Sequence, residues 1–266
     1  MNHNIKQKAE ILRKEQIAPE IYSMTFGVEL AVPAEPGQFV MVYPPDGARL
    51  LGRPLCVADA SDQTLRIVFR AAGGGTSRIA SCDPGDMLYL GGAFGKGYPY
   101  DSKTTGGRET VLLCGGLGAP SLLFLAKRLS EAGYGAHCTA FLGYRDSSLM
   151  HFLADDFISC GIKVVISTDD GSEGVRGNVL DAVKETGVAP GLIYACGPLP
   201  MLSAVKKYSC EKKIPAYISL EEHMACGIGV CLGCVVRTEE RDPHSNVHNA
   251  RICTEGPVFE ASEVRI

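Results

Sequence analysis

The chain has 266 residues, of which 45% are hydrophobic and 21% are charged, so it can build an ordinary folded core. Its formal net charge of −4 gives no support for nucleic acid or an anionic membrane surface as a main partner. No apolar run approaches the roughly 20 residues of a membrane-spanning helix, and the polar N-terminus lacks the apolar core of a signal peptide, so we expect a cytoplasmic protein.

The N-terminal zone, residues 1–103, is rich in short strand-like runs that alternate with glycine and proline turns. The runs lie at 21–26, 38–43, 55–58, 65–70 and 87–90. This spacing predicts an antiparallel β-barrel or sandwich that forms the first domain. The polar segment 101–108, with paired glycines and threonines, is typical of a linker at its end.

Three short motifs in this zone suit a flavin nucleotide. They are Arg53-Pro54-Leu55-Cys56, Val68-Phe69-Arg70 and Gly75-Thr76. An arginine fork matches phosphate oxygens, and the glycine run that contains Gly75 can cradle a phosphate before a short helix. Each motif also has a plainer interpretation, because an Arg-Pro pair is usually a turn and a glycine run is usually a loop. Their order along the chain favours an FAD site.

The middle zone, residues 104–215, alternates strands with helices. Strands are predicted at 111–114, 138–143, 163–167 and 192–196, and helices at 121–132, 149–157, 179–186 and 201–210. This alternation predicts a parallel sheet with helices on both faces, and ligands of such sheets lie at the carboxyl ends of the strands. The zone is therefore expected to be a nucleotide-binding α/β domain.

Two glycine-containing turns lie at those carboxyl ends. The first turn contains Gly115, Gly116 and Gly118, and the second begins with Cys196 and Gly197. The first does not fit the G-x-G-x-x-G fingerprint, but a glycine turn that opens a helix still suits a diphosphate. The second turn suits a nicotinamide, so NAD is the expected ligand. Both turns can equally be tight connections between strand and helix.

A third turn follows the predicted strand at 163–167. It has the sequence Asp169-Asp170-Gly171-Ser172, and its carboxylates could face a ribose. Elsewhere the six histidines show no pairing that suggests an acid–base dyad or triad. No catalytic residue is therefore assigned from the sequence.

The C-terminal zone, residues 216–266, is rich in glycine and cysteine and has no helix long enough to form its own core. A module of this size usually needs a metal or disulfides. Cys226, Cys231, Cys234 and Cys253 have the C-x4-C-x2-C…C spacing of a plant-type [2Fe-2S] ligand set. Three nearby glycines, at positions 227, 229 and 233, are expected to adopt the positive φ angles that a tightly wrapped loop requires.

Structural zinc is an alternative for this zone. Cys231, Cys234, His244 and His248 have a C-x2-C-x9-H-x3-H spacing, although the central gap is short for a zinc finger and Cys226 and Cys253 remain unused. A zinc-stabilised nucleotide-binding protein without redox activity is the corresponding functional alternative. Disulfides are not expected, because the other seven cysteines are scattered singly in a manner typical of a reducing compartment.

The motifs together resemble the ferredoxin reductase superfamily. The resemblance lies in the order of six motifs along this chain. They are Pro36-Gly37-Gln38-Phe39, Arg53-Pro54-Leu55-Cys56, Gly75-Thr76, Pro84-Gly85-Asp86, Gly115-Gly116-Leu117-Gly118 and Cys196-Gly197-Pro198. The stretch from Ser219 to Cys234 narrows the resemblance to the electron-transfer subunits of class 1B dihydroorotate dehydrogenases, over essentially the whole chain. Cys56 stands where many relatives have Ser, and the interval from Cys234 to Cys253 is long.

This resemblance implies an FAD-binding barrel, an NAD-binding domain and a [2Fe-2S] domain that docks on an FMN-containing catalytic subunit. It also implies a heterotetramer with two copies of each subunit. In that family, electrons from dihydroorotate pass through the cluster and FAD to NAD+, as a step of pyrimidine biosynthesis. A related reductase subunit that serves a hydrogenase or a ferredoxin-dependent enzyme would have the same three domains and is the second possibility.

Overall fold

The computed structural model describes residues 6–28, 34–45, 50–149, 152–242 and 246–266. Its strands are β1 Gln7–Ala18, β2 Ile21–Gly27, β3 Phe39–Tyr43, β4 Arg53–Ala60, β5 Thr64–Arg70, β6 Met87–Phe94, β7 Thr110–Gly115, β8 Cys138–Tyr144, β9 Lys163–Thr168, β10 Val175–Arg176, β11 Leu192–Cys196, β12 Ala216–Ser219, β13 Val235–Arg237, β14 Asn249–Arg251 and β15 Val258–Glu260. Its α-helices are α1 Gly74–Ala80, α2 Ser102–Thr105, α3 Ala119–Glu131, α4 Ala154–Ser159, α5 Val179–Thr186 and α6 Leu199–Lys212.

The first six strands form a closed antiparallel barrel in the order β1-β2-β5-β4-β3-β6. The five runs predicted as strands all lie within these elements apart from Gln38, and the predicted barrel is confirmed. The sequence prediction did not include β1. Along this strand Ala9 and Ile11 are buried. The charged residues Arg13 and Glu15 are exposed, and Lys14 between them is partly buried.

A seven-stranded sheet in the order β10-β9-β8-β7-β11-β12-β15 forms the second layer. All neighbouring pairs are parallel except β12 with β15. The buried residues of α3 and α4 pack in one apolar cluster, and those of α5 and α6 pack in another. The predicted parallel sheet with helices on both faces is thus confirmed.

Helix α4 begins later than the predicted helix at 149–157. Leu153 has a left-handed backbone with φ of 60°, so regular helix begins only at Ala154. Residues 150 and 151 of the prediction lie outside the described part of the chain. The predicted linker contains the short helix α2, whose first turn is capped by Asp101 Oδ1 accepting from Thr104 N at 2.8 Å.

Helix α3 joins the sheet to the barrel. Phe124 of this helix is fully buried and packs with the core of the barrel. Lys127 of α3 forms an ion pair with Asp59 of β4 at 2.7 Å. This ion pair therefore ties α3 to the wall of the barrel.

The C-terminal segment contacts both layers. Its strand β15 extends the large sheet beside β12, while Lys96 after the barrel forms a bridge with Pro257. Strands β13 and β14 make a separate two-stranded sheet. Among the described residues, no helix has both the length and the apolar character needed to cross a bilayer.

Candidate functional site

A cleft of about 1250 Å³ runs along the carboxyl ends of the parallel strands. The barrel contributes Ile21 and Arg70 to its wall. The sheet contributes turns after β7, β8, β9 and β11, including Gly115, Gly116, Gly118 and Gly197. Both glycine turns singled out in the sequence therefore reach one cavity, in the position expected for a dinucleotide at such a sheet.

The two glycine turns touch each other. A Cβ atom on Gly118 would overlap the carbonyl oxygen of Cys196, and a Cβ on Gly197 would lie 2.9 Å from Gly115 Cα. Because both distances are too short for a side chain, the glycines allow the loops after β7 and β11 to cross at the floor of the cleft. Close packing thus explains these glycines whether or not a nucleotide is bound.

Arg53 and Gly75 meet at one end of the barrel. The Arg53 guanidinium lies over the start of α1, where a Cβ on Gly75 would be 2.6 Å from Nη2. Thr76 Oγ1 accepts from Gly73 N at 3.1 Å and donates to Gly73 O at 3.0 Å, which fixes this turn. A delocalised cation beside a glycine turn fits a diphosphate group, as the sequence motifs predict.

Arg70 supplies a second cation from the end of β5. Its Nε atom is buried and has no hydrogen-bond partner among the described residues. Burying an unpaired donor is unfavourable, so this atom is suited to an acceptor that comes with a ligand. Val68 and Phe69, which precede Arg70, are only 5% and 3% exposed, so their backbone rather than their side chains can face a ligand.

Two thiols from the predicted sites lie close to Glu221 at the barrel–sheet boundary. Burial, with the negative charge of Glu221, raises the pKa of Cys56 to about 12. Burial and the neighbouring Cys56 raise the pKa of Cys196 well above its usual value. Desolvation also raises the pKa of the Glu221 carboxyl. At neutral pH both thiols are therefore uncharged hydrogen-bond donors rather than nucleophiles.

Tyr98 belongs to the same group, although neither Tyr98 nor Glu221 was assigned a role from the sequence. The tyrosine is 3% exposed, and its hydroxyl donates to Ala195 O at 3.4 Å. Burial, with the nearby Cys196, raises its pKa well above the ordinary value. These residues come from separate segments with no spacing pattern in common, so only the fold brings them together.

The four C-terminal cysteines converge in one loop region. Cys234 and Cys253 are 2% and 1% exposed, Cys226 is partly buried, and Cys231 is exposed. Backbone N–H groups point at their sulfurs. Ile228 N lies 3.4 Å from Cys226 Sγ, Gly229 N lies 3.1 Å from Cys253 Sγ, and Gly233 N lies 3.4 Å from Cys231 Sγ. Such donors stabilise thiolates and cluster sulfurs.

The thiols fall into two pairs. Desolvation raises the pKa of Cys226, but hydrogen bonds from the backbone of Cys231 and Ile228 and from the Cys231 thiol outweigh it and lower the pKa to about 6. Burial, with a hydrogen bond to Cys234 and its charge, raises the pKa of Cys253 to about 12. Two pairs of thiols fit a [2Fe-2S] cluster, which has two irons with two ligands each.

Within the described ranges, no group of three or more His, Cys, Asp or Glu side chains is arranged to hold a single metal ion. His244, which the zinc alternative requires, lies outside those ranges. All eleven cysteines are free thiols, as expected for a chain without disulfides.

Positive φ angles in the cluster loop occur at Gly227, Gly229 and Leu232. The expectation for Gly233 was therefore wrong, because the left-handed residue of this turn is its neighbour Leu232. Gly233 instead donates its N–H to Cys231, and a Cβ at this position would lie 3.4 Å from the same sulfur. A Cβ on Gly229 would lie 2.9 Å from Thr254 Cγ2, so this glycine is required by both conformation and space.

A closed antiparallel barrel, a parallel sheet with a cleft at its carboxyl edge and a loop of four cysteines define the class of ferredoxin-reductase-like electron-transfer proteins. A solved NADH-dependent reduced ferredoxin–NADP oxidoreductase superposes with a TM-score of 0.81 at 26% identity, covering 97% of this chain and 89% of that chain. A second solved structure, that of phthalate dioxygenase reductase, superposes with a TM-score of 0.60 at 17% identity and covers 94% of both chains. That reductase is a modular protein for electron transfer from pyridine nucleotides to [2Fe-2S].

Sequence comparison is more specific. Residues 221–265 match the model of the iron–sulfur cluster binding domain of dihydroorotate dehydrogenase B. The electron-transfer subunit of dihydroorotate dehydrogenase B (NAD(+)) from Geobacillus thermodenitrificans is 36% identical over 263 residues, covering 97% of this chain and 98% of the relative. The corresponding subunit from Streptococcus mutans is 34% identical over 262 residues, with 98% coverage of both. The chain belongs to the family of dihydroorotate dehydrogenase B electron-transfer subunits, which work with a catalytic partner subunit.

Proposed function

We propose that this chain carries electrons from an FMN-containing dihydroorotate dehydrogenase catalytic subunit, through a [2Fe-2S] cluster and FAD, to NAD+ in pyrimidine biosynthesis. The observation that carries this proposal is the position of the cluster loop. A Cβ on Gly227 would lie 3.0 Å from Met41 Cγ of β3, and Met41 pairs with Pro54 of β4. The four-cysteine loop therefore lies one strand away from the motif proposed for the flavin.

The cofactor contacts in this proposal follow the sequence motifs. FAD would be held by the neighbourhood of Arg53, Pro54, Leu55, Cys56, Val68, Phe69, Arg70, Gly75 and Thr76. NAD would lie on Gly115, Gly116, Gly118, Cys196 and Gly197, and the cluster on Cys226, Cys231, Cys234 and Cys253. The unpaired Nε of Arg70 supports the FAD contacts, and the glycine turns that line the cleft support the NAD contacts. The interactions of Cys226 with Cys231 and of Cys253 with Cys234 support the cluster contacts.

A flavin can exchange hydride with a nicotinamide and single electrons with an iron–sulfur cluster, so it belongs between the two. The chain itself supplies binding and orientation. Arg53 and Arg70 offset phosphate charge, while the neutral thiols of Cys56 and Cys196 provide hydrogen-bond donors beside the cleft. None of these steps requires a side chain that removes a proton from a carbon atom.

The proposed domain division is 1–103 for the FAD barrel, 104–215 for the NAD domain and 216–266 for the cluster domain. The six barrel strands fall within the first range, and β7 to β11 fall within the second. The third range contains the small β13–β14 sheet but also contributes β12 and β15 to the large sheet. Because of these shared strands, the cluster domain is held firmly against the nucleotide domain.

The surface around the cluster loop suits the catalytic partner. Ile228, Val230 and Leu232 are 41%, 76% and 62% exposed, although large apolar side chains normally avoid such exposure. We place the partner's electron donor against this surface, in a heterotetramer with two copies of each subunit. The eleven free cysteines support a reducing, cytoplasmic location.

The decisive experiment is anaerobic co-purification with the dihydroorotate dehydrogenase catalytic subunit of the same organism. The complex should contain FAD, FMN, iron and sulfide, and dihydroorotate should reduce NAD+ only when both subunits are present. A complex that binds all cofactors but does not transfer electrons from dihydroorotate to NAD+ would refute the proposal.

The resemblance to the ferredoxin–NADP oxidoreductase, at a TM-score of 0.81, supports one second candidate. In that case the chain would be a flavin iron–sulfur reductase subunit that exchanges electrons with a ferredoxin or hydrogenase. Reduction of ferredoxin by NADH or NADPH, without any stimulation of dihydroorotate oxidation by the catalytic subunit, would favour this function.

A further inference from the structure

Tyr98 lies where the barrel meets the large sheet, on the segment that follows β6. It is only 3% exposed, although its side chain ends in a polar hydroxyl. That hydroxyl donates to Ala195 O at 3.4 Å, and Ala195 directly precedes Cys196 at the carboxyl end of β11. A side chain from the barrel segment therefore contacts the strand that leads into the second glycine turn.

A second tyrosine makes the reciprocal contact. The hydroxyl of Tyr194, on β11, donates to the carbonyl oxygen of Pro99, which follows Tyr98. The two rings meet edge to face, with their centroids 5.6 Å apart and an interplanar angle of 86°. Tyr194 is fully buried. Because each hydroxyl binds the backbone next to the other tyrosine, the barrel segment and β11 are tied to each other in both directions.

Tyr98 is also fixed on the barrel side, by the segment that leads into β3. Its N–H donates to Pro36 O at 2.8 Å. A Cβ on Gly37 would lie 2.9 Å from Cδ2 of the tyrosine ring, which is too short for a side chain. The glycine thus lets the ring pack directly on the backbone, so the hydroxyl at the far end of the ring is held in place.

The same segment reaches the motif proposed for the flavin. Gln38 O accepts from Val57 N at 3.0 Å. Phe39 is paired with Cys56 in the register of β3 and β4. A short route of contacts therefore runs from the flavin motif through this segment to Tyr98, and from there to the second glycine turn.

The hydroxyl of Tyr98 remains a hydrogen-bond donor throughout the neutral pH range. Burial, with the nearby Cys196, raises its pKa well above the ordinary value, and the hydroxyls of Ser121 and Ser219 offset that rise only in part. Both serines are 1% exposed. Because the hydroxyl is neutral and enclosed, its contact with β11 depends on neither charge nor solvent.

Other contacts join the barrel to helices rather than to β11. Lys127 of α3 pairs with Asp59 of β4, and Arg66 of β5 pairs with Asp156 of α4, both at 2.7 Å. These ion pairs hold the layers together whether or not the Tyr98 hydroxyl is present. Its removal is therefore expected to leave the fold intact and to act on the end of β11.

We propose that Tyr98 is a positioning residue for hydride transfer, and that its hydroxyl sets the place of the second glycine turn, and thus of the nicotinamide, relative to the flavin. This inference rests on the proposed function and adds a residue that neither cofactor motif contains. The step concerned moves a hydride, with both its electrons, from NADH to oxidised FAD and leaves NAD+ and the two-electron-reduced flavin. Its rate depends steeply on geometry, because a displacement of about 1 Å can cost about a hundredfold.

The test is Tyr98→Phe in the FAD-loaded complex, with Tyr100→Phe as the matched control. Tyr100 lies two residues further along, and its hydroxyl donates to Glu35 Oε2 at 2.8 Å, away from β11. Anaerobic stopped-flow reduction of the flavin gives the limiting rate and the NADH dissociation constant separately. Charge-transfer absorbance between nicotinamide and flavin, and amide hydrogen exchange of residues 192–202, report on the turn without turnover.

Tyr98→Phe should lower the limiting rate of flavin reduction about fivefold or more, with the NADH dissociation constant changed by less than about twofold. The charge-transfer band should weaken, and amides at the end of β11 should exchange faster. Tyr194→Phe removes the reciprocal contact and should act in the same direction, so it replaces Tyr98→Phe if that variant folds poorly. Tyr100→Phe should match the wild type in every measurement.

The inference is overturned if Tyr98→Phe keeps the wild-type limiting rate, or if its slower reduction only follows a loss of bound FAD. An equal effect of Tyr100→Phe would overturn it too, as would wild-type behaviour of Tyr194→Phe where that variant has to be used. Failure of NADH to reduce the flavin of the wild-type complex would instead refute the proposed function, so the two failures are distinguishable.

Discussion

The backbone amide of Gly229 donates a hydrogen bond to Cys253 Sγ at 3.1 Å, across 24 positions of the chain. This bond ties the cysteine loop to the single ligand candidate that lies outside it. It forms because Gly229 has a φ of 82°, which turns its N–H toward the buried sulfur. The loop and Cys253 are therefore one structural unit, and replacing Gly229 should disturb both.

Gly229→Ala should destabilise the cluster domain by about 1–3 kcal/mol, because alanine is strained at this φ and its Cβ would contact Thr254. Denaturant unfolding and iron content measure the effect. Gly233→Ala is the control, since Gly233 has no positive φ and more room for a Cβ. Equal losses of iron in the two variants would contradict this explanation.

Cys231→Ser should remove most of the iron and lower electron delivery to a one-electron acceptor by at least about tenfold, because serine is a poor ligand for this cluster. Flavin content and NADH oxidation with a two-electron acceptor should remain. Iron and sulfide analysis with absorption spectra gives the readout. Cys210→Ser, which changes an exposed thiol on α6, is the control. Full iron content in Cys231→Ser would disprove the ligand assignment.

Most of the fold was predictable from the sequence because each strand or helix carries its own local pattern. Strand β11 occupies the predicted residues and all five of its residues are buried. Helix α5 also matches, with Asn178 accepting from Leu180 N at 2.9 Å as an N-terminal cap. Strand β1 was missed because it is long and mostly polar on its exposed face, so few of its residues differ from those of a loop.

The site was only partly predictable for a different reason. The glycine turns and the cysteines carry motifs, so their roles can be inferred from spacing. Tyr98 and Glu221 do not, because they join Cys56 and Cys196 only after the barrel and the sheet pack together. The unpaired state of Arg70 Nε likewise depends on burial, which the sequence does not show.

Arg53→Lys should weaken FAD binding by roughly tenfold or more, because hydrogen bonds to a charged group contribute about 1.5–3 kcal/mol and lysine cannot reproduce the fork. The positive charge is kept, so an unchanged affinity would show that only charge matters. FAD dissociation constants from fluorescence titration give the measurement. Arg13→Lys, on an exposed part of β1, is the control and should bind FAD normally.

Cys56 should react slowly with iodoacetamide in flavin-free protein. With a pKa of about 12, its thiol is ionised in only about one molecule in 10,000 at pH 8, and only the thiolate reacts. The rate should rise about tenfold per pH unit as pH increases toward 12, until other effects limit it. Mass spectrometry of labelled peptides, with Cys210 as the exposed reference, tests this. Equal rates for the two cysteines at pH 8 would contradict the raised pKa.

Val230→Glu should weaken binding of the catalytic subunit by about tenfold or more, because it places a charge in the centre of a surface that we propose to be desolvated in the complex. Val230 is 76% exposed, so the substitution should leave the fold, the iron content and the NADH-dependent reduction of the flavin unchanged. Met87→Glu is the matched control, since Met87 is an apolar residue 50% exposed on the barrel strand β6, away from the cluster loop. Dissociation constants from biolayer interferometry, together with dihydroorotate-dependent NAD+ reduction, give the comparison.

If both variants bind equally well, the catalytic subunit docks elsewhere. If both are equally weak, the loss reflects added negative charge rather than the surface around the cluster.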